Sequence, residues 1–278
     1  MSKKATLTSK AYLLPFVLVT SLFFLWGFAR AILDVLNKHF QNVLDISITQ
    51  SSLIQVSTYL GYFIMAIPAG WFINRQGYRR GVVFGLLLFG IGAFMFIPGA
   101  LAGSFYGYLV ALFVIGCGLV FLETSANPYV TELGDPQTST ARLNFSQSFN
   151  GLGSMTATLA IGQFLFSGDA DSDDIVKPYI ILGFLVLLIA VVFSRVDLPE
   201  IKHKETEEDR MQDTRIMKLF RHHPMFVFGL FSLLAYEVAE ISINSYFINF
   251  VTGQGWMPDD TASLVLTCAL GFFMIGRF

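Results

Sequence analysis

The chain has 278 residues, of which 54% are apolar and only 14% charged, with a formal net charge of −2. Soluble domains carry roughly 25% charged residues, so a chain this apolar cannot cover its surface with polar groups, and lipid must solvate much of it. The near-neutral balance gives no electrostatic footprint for nucleic acid, and the information lies in where the charges sit.

About 20 apolar residues in a helix cross a bilayer core. That ruler predicts eight spans, over 12–36, 51–73, 81–101, 105–128, 143–167, 178–195, 225–251 and 260–278. They are helices because lipid cannot hydrogen-bond a bare backbone, and the alternation of a lipid-embedded barrel is absent. The N-terminal lysines followed by an apolar run superficially resemble a signal peptide. That run continues past an h-region with no small-residue cleavage site, so it is the first span.

Orientation follows from Lys and Arg. With the N-terminus cytoplasmic, fourteen basic residues fall inside (Lys3, Lys4, Lys10, Arg75, Arg79, Arg80, Arg142, Arg195, Lys202, Lys204, Arg210, Arg215, Lys218 and Arg221) and two outside (Lys38 and Lys177). Such a bias predicts a multi-pass inner-membrane protein. The outer loop after span five is acidic, with Asp169, Asp171, Asp173 and Asp174.

An ionisable group inside the bilayer costs about 2.5–3.5 kcal/mol on insertion scales, so each needs a reason. In span one, Arg30 and Asp34 are four residues apart and could pair on one helix face or reach an aqueous cavity to bind a polar substrate. Between spans two and three, Gly70, Asn74, Arg75, Gly77 and Arg79 outline a short cytoplasmic turn whose arginines could meet carboxylates or helix ends. In span four, Glu123 follows a wholly apolar run from Gly116 to Leu122. A lone carboxyl there either is neutral when closed off from water and ionises when water enters, as a proton-coupled carrier requires, or stays protonated throughout as a hydrogen-bond donor in helix packing. Asn127 and Pro128 follow, and the proline can bend the helix.

In span five, Asn144, Gln147 and Asn150 recur every three residues on one face. Their amides suit sugar hydroxyls or interhelical hydrogen bonds alike, and Gly151 and Gly153 permit close approach. The polar stretch 196–223 follows span six as a cytoplasmic linker. In span seven, Glu237, Glu240 and Asn244 form another polar face, near Tyr236 and Tyr246. Two carboxyls this close repel if both ionise, so at least one must stay protonated or meet a cation. The chain ends in an apolar helix at Gly276-Arg277-Phe278, which predicts a truncated second half.

Cys117 and Cys268 lie in apolar runs, and His39, His203, His222 and His223 are predicted outside the membrane core, so no disulfide framework or metal site is expected. No Gly-x-Ser-x-Gly elbow, His-Glu-x-x-His motif or paired catalytic aspartates occur, which argues against an enzyme.

The segment Gly70-Trp71-Phe72-Ile73-Asn74-Arg75-Gln76-Gly77-Tyr78-Arg79-Arg80 resembles the loop motif of the major facilitator superfamily. Asn74 stands where Asp is commoner and Tyr78 where Arg is common. The resemblance implies that this loop helps gate the carrier. Along nearly the whole chain the sequence also resembles the L-fucose:proton symporters and their glucose/galactose and N-acetylglucosamine relatives. Leu22-Phe23-Phe24-Leu25-Trp26-Gly27-Phe28, Asp34, Leu122-Glu123-Thr124-Ser125-Ala126-Asn127-Pro128-Tyr129-Val130, and Arg142-Leu143-Asn144 through Phe149-Asn150 carry that likeness.

The resemblance implies an all-α membrane protein of the major facilitator fold. A six-helix half (1–195), a linker (196–223) and the first two helices of a second half (224–278) would make up this chain. It implies that Asp34 faces the sugar cavity, that Glu123 couples the proton, and that Gln147 and Asn150 belong to the sugar site, with Asn127 and Asn244 as further polar candidates. Glu240 stands where some fucose carriers have Gln and relatives have Glu, and Arg30 departs from an expected Asn. The expected function is proton-coupled symport of L-fucose or a related hexose such as galactose or glucose. Alternatives are an exporter of another small molecule and a transport-inactive sugar sensor. Expected partners are the monosaccharide, a proton as coupling ion and the bilayer, with no cofactor, no nucleic acid and a monomeric state.

Overall fold

The computed structural model describes residues 6–166, 176–196, 198–199 and 220–276. Ten α-helices are named in chain order: α1 (Leu13–Leu44), α2 (Ile48–Ser51), α3 (Leu53–Gln76), α4 (Tyr78–Phe94), α5 (Phe96–Leu101), α6 (Phe105–Glu132), α7 (Ser139–Phe166), α8 (Val176–Arg195), α9 (Pro224–Gly253) and α10 (Asp259–Ile275). No strand occurs among the described residues. The acidic loop after α7, most of the linker 196–223 and Arg277 lie outside those residues.

Among the described residues, each of the eight predicted spans is mostly helical, and the chain is a multi-pass membrane protein. Six stretches, Leu13–Leu44, Ile48–Gln76, Tyr78–Leu101, Phe105–Glu132, Val176–Arg195 and Pro224–Gly253, are long and apolar enough to cross a bilayer. α7 and α10 are not among them. α7 carries several polar side chains that are buried inside the protein, Ser146, Ser148, Asn150 and Thr158 among them, and α10 has 17 residues.

The main boundary correction is at α1, which runs eight residues past its predicted end at 36. Past 36 it stays mostly buried in protein as far as Phe40: Phe40 packs on Phe105 and Tyr108, and Asn37 accepts hydrogen bonds from Gln41 and Ser51. His39, expected outside the membrane core, is therefore buried in this helix. Pro98 lies just past the break between α4 and α5, whereas α6 continues one turn past Pro128. Phe63, Ile67 and Trp71 of α3 form an exposed apolar row.

Part of the packing of the first six spans repeats itself, although α4 also packs along α6 with no comparable α1–α8 contact. α1 packs along α7 as α6 packs along α3, and α4 packs on α8. Shifting each span by three maps one pair onto the other, which is the signature of an inverted pair of three-helix units. Glycines make both crossings possible. A Cβ at Gly27 would lie 2.0 Å from the Asn150 carbonyl oxygen and one at Gly153 2.1 Å from that of Phe24. The α3–α6 crossing repeats this at Gly61 and Gly116. Such backbone approach is how membrane helices gain packing contacts when lipid removes the hydrophobic drive.

One end of the bundle collects the arginines. Arg142 is fully buried and donates to the carbonyls of Val130, Thr131, Asp135 and Leu7 and to the Thr138 hydroxyl. It thereby satisfies carbonyls left open at the end of α6 and anchors the N-terminal segment.

Candidate functional site

Side chains from six helices converge on a cavity of about 410 Å³. α1 contributes Trp26, Arg30 and Asp34; α3 contributes Tyr59 and Tyr62; α6 contributes Glu123. α7 contributes Gln147, Asn150 and Ser154, α9 contributes Tyr236, Glu237, Glu240 and Asn244, and α10 contributes Phe273. The volume lies within the ~300–1,000 Å³ of small-molecule pockets. The lining mixes aromatic faces with convergent polar groups, and includes four carboxyls around one guanidinium.

Arg30 does not pair with Asp34, its neighbour one turn away. Its Nη2 reaches instead across to α9, lying 3.3 Å from Glu237 Oε2 and 3.7 Å from Glu240 Oε1. These three side chains are 26%, 41% and 19% exposed, so the triad faces the cavity rather than lying sealed in protein. Of the two possibilities that the sequence left open for Glu237 and Glu240, protonation or a nearby cation, Arg30 supplies the cation. Both contacts are longer than the ~2.7–2.9 Å of an ideal charge-assisted bond and share one nitrogen, so guanidinium donors remain for a ligand.

Asp34 takes different partners. Ser245 Oγ donates to its Oδ1 at 2.7 Å, and Gln55 Nε2 lies 3.5 Å from the same oxygen and 2.9 Å from Ser245 Oγ. Two helices from distant parts of the sequence thus hold one carboxylate. Trp26 Nε1 donates to Tyr62 Oη at 3.0 Å, fixing two aromatic faces in the wall.

Glu123 lies on α6 at the boundary between the cavity and a neighbouring crevice of about 580 Å³ lined by Tyr59, Tyr62, Thr124 and Asn127. Asn127 therefore belongs to the crevice, not the main cavity, and joins the site through Gln147, whose Nε2 donates to Asn127 Oδ1 at 3.0 Å. Asn150 is split between two uses: it lines the cavity while its Nδ2 donates to the Phe23 carbonyl at 3.4 Å. Asn144, expected on the same face, is exposed and outside the cavity lining. Ser154, one turn beyond Asn150, takes its place and donates to the Gly27 carbonyl at 3.1 Å.

The turn between α3 and α4 stands apart from the cavity. Gly77 adopts φ 86°, which its lack of a Cβ allows. Arg79 donates to the carbonyls of Phe193 (3.0 Å) and Ser194 at the end of α8. Arg75 stacks 4.2 Å over the Trp71 ring, and Asn74 is exposed. The expected helix-end contact is therefore made by Arg79, within the first six spans. Gly70 has open space where a Cβ would stand, so no close approach requires it.

Sequence reasoning brought Arg30, Asp34, Glu123, Gln147, Asn150, Glu240 and Asn244 to one cavity, and the structure places all seven there. It missed Gln55, Tyr59, Tyr62, Ser154 and Ser245 as site residues. Each is a polar group inside an apolar span, which was the available signal.

The sequence profile of the Major Facilitator Superfamily matches residues 19–278. The L-fucose-proton symporter of Haemophilus influenzae is 40% identical over 227 residues, covering 72% of this chain and 53% of that protein. The glucose/galactose transporter of Brucella abortus is 34% identical over an alignment of 282 residues, covering 98% of this chain and 67% of that protein. Among solved structures, the E. coli fucose:proton symporter superposes with a TM-score of 0.72 at 31% identity, covering 97% of this chain and 70% of that one. The chain therefore spans about half the length of the Haemophilus protein.

Proposed function

This chain belongs to the Major Facilitator Superfamily, and from that premise we propose that it carries a monosaccharide, L-fucose or a related hexose such as galactose or glucose, in symport with a proton by alternating access. The two halves, 1–195 and 224–278, meet at the cavity, with 196–223 as a cytoplasmic linker. The N-terminus faces the cytoplasm of a cell whose inner membrane holds the protein. The observation that carries this reading is the convergence of Asp34, Gln147, Asn150 and Glu240 with aromatic faces on one cavity. Carboxylates accept from hydroxyls, amides both accept and donate, and tryptophan or tyrosine faces suit the apolar side of a sugar ring.

Asp34 and Gln147 hold the sugar from the first half, and Glu240 and Asn244 from the second. Glu123 takes a proton when the cavity faces outward and loses it when the cavity faces inward, and its charge state sets which conformations the empty and loaded carrier can cross. The names of the relatives support both sugar and proton as cargo.

Counterflow in proteoliposomes tests the substrate class. The native chain should exchange radiolabelled fucose or galactose against an internal load of the same sugar, ahead of glucose and N-acetylglucosamine. Failure to exchange any of the four would overturn the reading.

A further inference from the structure

From the middle of α1 onward, every fourth residue is polar: Arg30, Asp34, Lys38 and Asn42. Four residues make slightly more than one helical turn, so these side chains form a slowly drifting row. Each reaches α9 or the start of α10. Arg30 meets Glu237 and Glu240, and Asp34 accepts from Ser245. Lys38 Nζ lies 3.8 Å from Asp259 Oδ1, and Asn42 Nδ2 donates to Asp259 Oδ2 at 2.7 Å. The partners advance in the same order as the row, so the ties run from the cavity to the end of the bundle opposite the arginines. On the other side of the cavity, the residues of α9 before Ser245 are not buried.

The composition of this seam is that of a contact made to part. Lys38 and Asp259 are 18% and 24% exposed and 3.8 Å apart, a long pair within reach of water and salt. One turn past Ser245 on α9, Asn249 is buried with neither Oδ1 nor Nδ2 hydrogen-bonded within the protein. An orphaned amide is rare in a permanent interface, and it recovers its hydrogen bonds when water enters.

We infer that the row Arg30, Asp34, Lys38 and Asn42, closing on α9 and Asp259, is a reversible zipper over one mouth of the cavity, with Lys38, Asn42 and Asp259 as its terminal latch. It is the outer mouth under the orientation proposed above, and the inference rests on the alternating-access reading. Opening begins at the latch, wets Asn249, and proceeds inward to the Asp34 and Arg30 ties.

Two arms test this in a background with Cys117→Ala and Cys268→Ser. In the first, a cysteine introduced by Asn249→Cys is labelled with a membrane-impermeant maleimide added from outside. Labelling should be slow, and adding Lys38→Ala should speed it at least threefold at unchanged protein level. In the second, Asn42→Cys with Asp259→Cys should cross-link under mild oxidation, lowering sugar uptake at least tenfold until a reductant restores it. Labelling indifferent to Lys38→Ala, or uptake that persists in the cross-linked protein, overturns the zipper. Should the native chain move no sugar, the carrier reading fails while the labelling arm still decides the zipper.

Discussion

Along the contact between α7 and α10, small residues meet with their polar atoms satisfied; along the contact between α1 and α9, charged and amide groups meet across a partly wet gap. In the first, Ser263 Oγ donates to the Thr158 carbonyl at 3.0 Å, Thr267 and Thr158 share a 3.0 Å hydrogen bond, and Ser263 and Thr158 are fully buried. A Cβ at Gly162 would come within 2.0 Å of Ser263 Oγ. In the second, Arg30, Asp34, Lys38 and Asn42 reach across one by one, and Asn249, one turn past Ser245 on α9, is buried without a hydrogen bond. Parting the dry contact forfeits dispersion and hydrogen bonds that lipid cannot replace. Parting the wet one exchanges modest ion pairs for hydration. On the carrier reading, α7–α10 is the pivot and α1–α9 the moving mouth.

The largest effect expected from breaking this contrast is at the pivot. Gly162→Leu should drive α7 and α10 apart, because overpacking a tight contact costs about 1–3 kcal/mol or more. Folded protein recovered in detergent should fall severalfold and uptake should vanish; normal yield and melting temperature would remove the distinction between the two contacts. A smaller effect is expected in the cavity. Arg30→Gln leaves Glu237 and Glu240 facing each other without their cation. Removing one partner of a buried pair costs about 3–5 kcal/mol, and the part-exposure of this triad should reduce that to roughly 1–2 kcal/mol by solvent screening. The melting temperature should drop, and Arg30→Gln combined with Glu237→Gln should recover part of the loss. Absence of that recovery would show that the triad is not coupled.

Much of this was legible in the sequence. Apolar runs located the helices, and lone ionisable groups at membrane depth marked the cavity at Arg30, Asp34, Glu123 and Glu240. The Arg30–Asp34 spacing allowed either a pair within one helix or a shared face on a cavity; the structure lines the cavity with both and gives each a partner on α9, more than 200 residues away. Local spacing shows which groups share a face and carries no information about what that face meets. Likewise Lys38 and Asn42 continued the row, yet an apolar-run ruler ends span one at 36 because it counts hydropathy and cannot see polar side chains that find partners inside protein. Gln55 and Ser245 escaped notice for the same reason: a single amide or hydroxyl in an apolar span is unremarkable until the second helix is in place.

Whether Glu123 couples proton and sugar at the shared cavity is decided by Glu123→Gln in proteoliposomes. Sugar counterflow should persist in that protein while accumulation driven by an inward proton gradient is lost. Accumulation at the native level would refute the coupling role of Glu123.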